Sequence, residues 1–286
     1  MSFKLDSLSS EVYWRSALYR TKSAIKSSSL LPLETQIIRV YNQRESNFEL
    51  RTLVSDNPPH LPKAGPRDNP FLPTDKQLEI AQIGNDHSLI LNKYPVQIGH
   101  MLLITKKWSP QKGWLTINDL KALEIVHSDT NGLWFFNSSP KAGASQPHRH
   151  LQLLRRGSDD LICPRNKWFQ SISQDKSFGN NSLTKSTSVI GIDCSSLCAD
   201  ELYEKYLKCC KNMSIGSPVN DREPKKPYNL LISNNWIALI RRSQDNSMGF
   251  SINALGFAGY LLATNKSNIK WLDKYGPEKL LEGVVD

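Results

Sequence analysis

The sequence predicts one α+β unit built on an antiparallel sheet with flanking helices and completed by its C-terminal segment. Three observations predict it. Two apolar runs, SLILNK (88–93) and MLLITK (101–106), flank the short Pro/Gly segment YPVQIGH, a hairpin pattern. A second pair, YNLLIS and WIALIRR within 228–242, turns at Asn234-Asn235. Helical and strand patterns do not alternate in the βαβ order of a parallel sheet. The chain reads as a single domain over 1–286, with an N-terminal and core part to about 190 and a C-terminal part over about 191–286.

In chain order, apolar positions at Leu8, Val12, Tyr13, Leu18 and Tyr19 predict a helix over 7–24. TQIIRVYN and NFELRTLV, within 34–54, read as two strands joined by a polar turn. The prolines of 55–73 forbid regular structure there. After the first hairpin, NDLKALEIVHSD (118–129) is an amphipathic helix capped by Asn118 or Thr116. GLWFFN (132–137) is a strand, with HRHLQLL as its neighbour. Residues 171–189, rich in Ser, Asn, Lys and Thr, read as a loop. ADELYEKYLKCCK (199–211) reads as a helix and 214–227 as a second loop, and the small and apolar GFAGYLLA (256–263) suits a tightly packed helix, with a strand as the alternative.

A net charge of +9 attracts anions. The chain has no aromatic RNP-like strand, paired-cysteine finger or Lys/Arg block of the usual kind, so small phosphorylated ligands fit as well as a nucleic-acid polymer. The N-terminus lacks an apolar signal core, and no apolar run is long enough to span a membrane; the expected location is cytoplasmic. The five cysteines are read as free thiols rather than a disulfide framework.

GASQPHRHLQL (143–153) holds the chemistry. On a strand, period two puts His148, His150 and Gln152 on one face and Arg149, Leu151 and Leu153 on the other. Same-face neighbours lie roughly 6.6 Å apart, so one imidazole can attack while the others orient it. Gly143, Ala144 and Ser145 let backbone N–H groups approach an anion, and Asn137 closes the preceding strand. His100 reads as a packing residue and His127 as a core histidine. Spacing alone leaves three readings open: phosphoryl or nucleotidyl transfer, metal ligation, or a structural pair.

GASQPHRHLQ resembles the active-site strand of the histidine-triad superfamily, in the branch where glutamine replaces the third histidine. That branch includes the galactose-1-phosphate uridylyltransferases and the diadenosine tetraphosphate phosphorylases, or ATP adenylyltransferases. NPFLP (69–73), LILNKYPVQIGHMLLITKKW (89–108) and the region 228–263 are similar to the phosphorylases in the same order. The resemblance implies a HIT-like fold. It makes His150 the nucleophile, Gln152 the ligand of the transferred phosphoryl group and His148 the residue that structures the site. Asn92, Lys93, Asn137, Gly143, Ala144, Ser145, Gln146 and Asn253 become nucleotide- and phosphate-binding candidates. It implies phosphorolysis of diadenosine tetraphosphate to ATP and ADP through an adenylyl-histidine, with no nucleic-acid polymer as a partner. A dinucleoside polyphosphate hydrolase and a non-enzymatic zinc- or nucleotide-binding protein are the alternatives. No tightly bound cofactor and no dedicated metal site are expected; Mg²⁺ or another divalent cation enters only with the polyphosphate.

Overall fold

The computed structural model describes residues 11–42, 45–54, 69–155, 162–175, 179, 181–192 and 197–286. Helix α1 (Val12–Lys26) starts where the sequence leaves its first N–H groups without partners. Asp129 supplies them, accepting from the backbone N–H of Val12 at 3.0 Å and of Tyr13 at 2.9 Å. Strands β1 (Thr35–Asn42) and β2 (Asn47–Leu53) pair antiparallel, as expected. Most of the proline-rich stretch 55–73 lies outside the described residues.

Strand β3 (Glu79–Ile83), not anticipated from sequence, precedes the expected hairpin of β4 (His87–Leu91) and β5 (Met101–Thr105). Helix α2 (Ile117–Asp129) begins at a capping box between Thr116 and Asp119. Strands β6 (Leu133–Asn137) and β7 (His150–Leu154) are neighbours. Where a loop is expected at 171–189, the described residues instead fall in the end of α3 (Asn166–Gln174), in α4 (Ser182–Lys185) and in β8 (Thr187–Gly191). Ser182 and Lys185 face outward, while Trp168, Phe169, Leu183, Thr187 and Ser188 are buried. Trp236 of the next hairpin stacks on Phe169 at 4.3 Å between ring centroids. Such aromatic burial contributes about 1.5–3 kcal/mol per side chain.

Helix α5 (Ala199–Asn212) and the hairpin of β9 (Tyr228–Ile232) and β10 (Trp236–Arg241) follow the sequence reading. Then come short β11 (Asn246–Ser247) and β12 (Phe250–Ser251), α6 (Ala254–Ala258), β13 (Tyr260–Ala263), α7 (Ile269–Tyr275) and α8 (Pro277–Glu282). The stretch 256–263, read as a helix with a strand as the alternative, is both: the helix stops at Ala258. Gly259, at φ +110°, ends it, and the rest becomes a strand.

The main sheet runs β3-β4-β5-β7-β6-β9-β10-β8, every pair antiparallel. One face carries Leu89, Leu103, Leu151, Trp134 and Ile237 against α1, α2 and α5. The other carries Phe135, Leu154, Leu231 and Ala238 under α3, α6 and α8. The small sheet β1-β2-β13 joins this second layer, with β2 and β13 parallel.

Candidate active site

Strand β7 explains the histidine spacing. Pro147 has no N–H for a ladder, so regular pairing waits until His150, after an isolated bridge between His148 and Pro110. From there the register puts His150 opposite Ile104 and Gln152 between Leu102 and Phe135. The two residues share the face that carries Phe135 and Leu154. Arg149 goes to the opposite face, where it donates to Asp119 Oδ2 at 3.0 Å. His87 donates to Asp119 Oδ1 at 2.9 Å, completing a buried triad behind the strand.

The His150 backbone is gripped by a residue the sequence did not mark. Gln111 Oε1 accepts from the His150 N–H at 2.8 Å, and Gln111 Nε2 donates to the carbonyls of His150 (3.2 Å) and Asn137 (2.8 Å). A buried amide meeting three backbone groups ties the loop after β5 to both site strands. Gln111→Leu leaves those groups unpaired, and we expect a loss of about 1–3 kcal/mol in the urea unfolding free energy. An unchanged midpoint and slope would refute this bridging role.

Two nitrogens define the reactivity of His150. Its Nδ1 lies 2.7 Å from the His148 carbonyl, which only accepts. The proton therefore sits on Nδ1 and the lone pair on Nε2. Burial lowers the His150 pKa to about 4, opposed by the bond to the His148 carbonyl. The ring is neutral near pH 7, a competent nucleophile.

His148 is arranged differently. Its Nε2 lies 2.9 Å from the Thr105 carbonyl and 3.0 Å from the Thr105 hydroxyl, and its Nδ1 lies 3.0 Å from Asn69 Oδ1. Burial lowers its pKa as well. With both nitrogens engaged, His148 presents no lone pair beside that of His150, which opposes the chelating-pair reading. Phe71 packs its ring 5.4 Å from His148 and 5.3 Å from His150. Asn69 and Phe71 thus carry NPFLP onto the histidines.

The loop after β6 brings most of the remaining candidates together. Asn137 Oδ1 accepts from Asn229 Nδ2 at 2.8 Å and from the Ala254 N–H at 2.9 Å. Asn229 also donates to the Ala142 carbonyl at 2.8 Å. Buried Arg242 reaches the carbonyls of Ala142 and Ile252, at 3.5 and 2.9 Å. Gly143 has φ +84°, and a Cβ there would lie 2.6 Å from Asn253 Cβ and 2.9 Å from the Ile252 carbonyl. Glycine is required by both conformation and space. Asn253 spends its Oδ1 on the Leu255 N–H, as the cap of α6. Ser145 is exposed. Ser139 Oγ and Gln146 Oε1 are buried without a hydrogen-bond partner among the described residues.

The hairpin candidates divide. Asn92 donates to His100 Nδ1 at 3.2 Å, and His100 adjoins Gln152. Lys93 is exposed, its Nζ 5.7 Å from the centre of the Tyr94 ring. His127 accepts from Trp134 Nε1 at 3.2 Å, the satisfied histidine the sequence predicted. Gln111, His100, Asn69 and Arg242 were missed as site residues, because a polar residue in a loop or strand gives no local sign of a distant partner.

Comparison with known proteins gives the family and the fold. Residues 4–160 match the family model described as the Ap4A phosphorylase N-terminal domain, and residues 161–285 that of the ATP adenylyltransferase C-terminal domain. The chain is 27% identical over 234 residues to diadenosine 5',5'''-P1,P4-tetraphosphate phosphorylase 2 of Saccharomyces cerevisiae, covering 71% of each. It is 29% identical over 202 residues to Protein APA1 of the same yeast, covering 63% of this chain and 62% of that protein. The crystal structure of yeast Ap4A phosphorylase Apa2 superposes with a TM-score of 0.74 at 21% identity, covering 96% of this chain and 94% of that one. Its complex with Ap4A superposes at 0.73 and 20% identity, covering 96% and 97%.

Proposed function

From its membership of the Ap4A phosphorylase family, to whose two domain models the chain matches over residues 4–160 and 161–285, we propose that it cleaves diadenosine tetraphosphate with inorganic phosphate to ATP and ADP. The observation that carries the reading is the tautomer of His150. Its Nδ1–H is held by the His148 carbonyl, leaving the Nε2 lone pair on the face shared with Gln152.

In this reading Nε2 attacks the α-phosphorus, the bond from that phosphorus to its bridging oxygen breaks, and ATP departs. The histidine keeps the adenylyl group, and the imidazolium charge is shared with the His148 carbonyl. An oxygen of inorganic phosphate then attacks the same phosphorus, the N–P bond breaks, and ADP leaves with Nε2 restored. Gln152 donates to the phosphoryl oxygens as charge develops on them. The backbone of 143–146 receives the polyphosphate, and Asn137, Asn253, Asn92 and Lys93 bound the nucleotide region. Any Mg²⁺ travels with the polyphosphate. Among the described residues no helix is long and apolar enough to cross a membrane. Free Cys163, Cys209 and Cys210 fit a reducing compartment, and the reading places the enzyme in the cytoplasm.

The test is nucleotide analysis with and without phosphate. Equimolar ATP and ADP that depend on phosphate are expected. AMP and ATP formed equally fast without phosphate would mean a hydrolase.

A further inference from the structure

We propose that His100 is a positioning residue that fixes which way the Gln152 amide points. A glutamine amide can present its oxygen or its NH₂ to a substrate, and only the NH₂ helps a phosphoryl oxygen. A chain of one-way hydrogen bonds makes the choice here. The Tyr94 N–H donates to Asn92 Oδ1 at 3.0 Å, which fixes the Asn92 amide. Asn92 Nδ2 then donates to His100 Nδ1 at 3.2 Å. The Nδ1 lone pair is thereby used, and the single proton of the neutral ring sits on Nε2.

His100 is 8% exposed. Burial lowers its pKa to about 4, with Gln152 acting in the opposite sense, so the ring is neutral near pH 7. Its Nε2 has no partner at full hydrogen-bond geometry among the described residues. The sheet shows what it faces. Gln152 lies between Leu102 of β5 and Phe135 of β6. His100 enters β5 two residues before Leu102, and its ring meets Phe135 at 5.7 Å. Those two rings approach each other across β7, beside the position where Gln152 emerges. An Nε2–H there donates to Gln152 Oε1 and turns the Gln152 NH₂ outward, toward the phosphoryl group on Nε2 of His150. Asn92 thus acts on the site through His100.

This inference rests on the phosphorylase reading, and its test separates the two. The ligand-free wild-type protein, labelled with ¹⁵N-histidine, should show His100 protonated on Nε2 and bare on Nδ1. Asn92→Asp should move that proton to Nδ1, since a carboxylate only accepts. An Nδ1–H tautomer in the wild type would overturn the proposal whatever the enzyme's substrate. In phosphorolysis, His100→Asn should lower kcat by about 10–100-fold with KM changed less than about threefold. His100→Gln, whose amide nitrogen overlays Nε2, should restore most of that rate. In the Gln152→Ala background, His100→Asn should lower kcat less than about twofold. Equal losses in both backgrounds would mark a structural residue and sink the proposal. Absence of phosphate-dependent products in the wild type would instead defeat the phosphorylase reading and leave the tautomer result standing.

Discussion

His150→Ala is expected to lower kcat by roughly 10⁴–10⁶-fold, the scale seen when a covalent nucleophile is removed, with little loss of nucleotide affinity. In the proposed mechanism the side chain acts in bond making, whereas binding falls to the loop around Gly143 and to the asparagines. The intermediate gives the sharper readout. Substrate labelled at the α-phosphate, incubated without phosphate and quenched in alkali, should leave acid-labile label on the peptide carrying His150. A phosphoramidate survives base and is lost in acid. Label on His148, or normal turnover by the variant, would defeat the assignment. Since burial holds the His150 pKa near 4, the acid limb of kcat/KM should fall well below the ordinary imidazole range. A limb at pH 6.5 would show a solvated nucleophile instead.

Asp119→Ala should cost about 3–5 kcal/mol of stability, the range for breaking a buried ion pair. The carboxylate serves His87, Arg149 and the Thr116 N–H, at 2.9, 3.0 and 2.8 Å. Its loss leaves the guanidinium behind β7 unpaired and uncaps α2. Asp119→Asn keeps one acceptor and should lose less. Urea unfolding across pH checks the electrostatics. Burial alone would raise the Asp119 pKa; the bond from His87 and the Arg149 charge overcome it and hold the carboxyl below its usual range. Its contribution is full above about pH 4 and is lost as pH falls through the depressed folded value. His100, His127 and His150, all lowered to about 4 from 6.5, act in the same direction at higher pH. Unfolding lets them take up protons as pH drops from 6.5 toward 4, so wild-type stability declines through that window. The alanine variant should keep the histidine decline and lose the steeper fall below pH 4. Identical profiles would contradict the role given to Asp119.

The parity of the histidine strand was legible because β-structure repeats every two residues and Leu151 and Leu153 had to enter a core. Both hairpins were legible for the same reason, as apolar runs around turn residues. The described elements within 171–189 were misread because their Ser, Thr, Asn and Lys residues show no apolar period; α3 and β8 pack through Trp168, Phe169 and the distant Trp236. The turn from α6 into β13 depends on pairing with β2, which no local window contains. Within the site, the tautomers of His150 and His100 follow from a backbone carbonyl and from Asn92, partners that only the folded chain supplies.

The parallel pairing of β2 with β13 sets an order of events during synthesis. Glu49 aligns with Tyr260 and Thr52 with Ala263, closing a loop of about 200 residues, an entropic demand that grows only slowly with length but delays folding through high contact order. The strand bearing His150 leaves the ribosome long before residues 252–254, which brace Gly143 and Asn137. A nascent chain therefore holds His150, the proposed nucleophile, while the loop proposed to receive the polyphosphate still lacks a wall. The partly translated enzyme should neither bind nor cleave nucleotide, and competence should arrive abruptly once the last strand clears the exit tunnel.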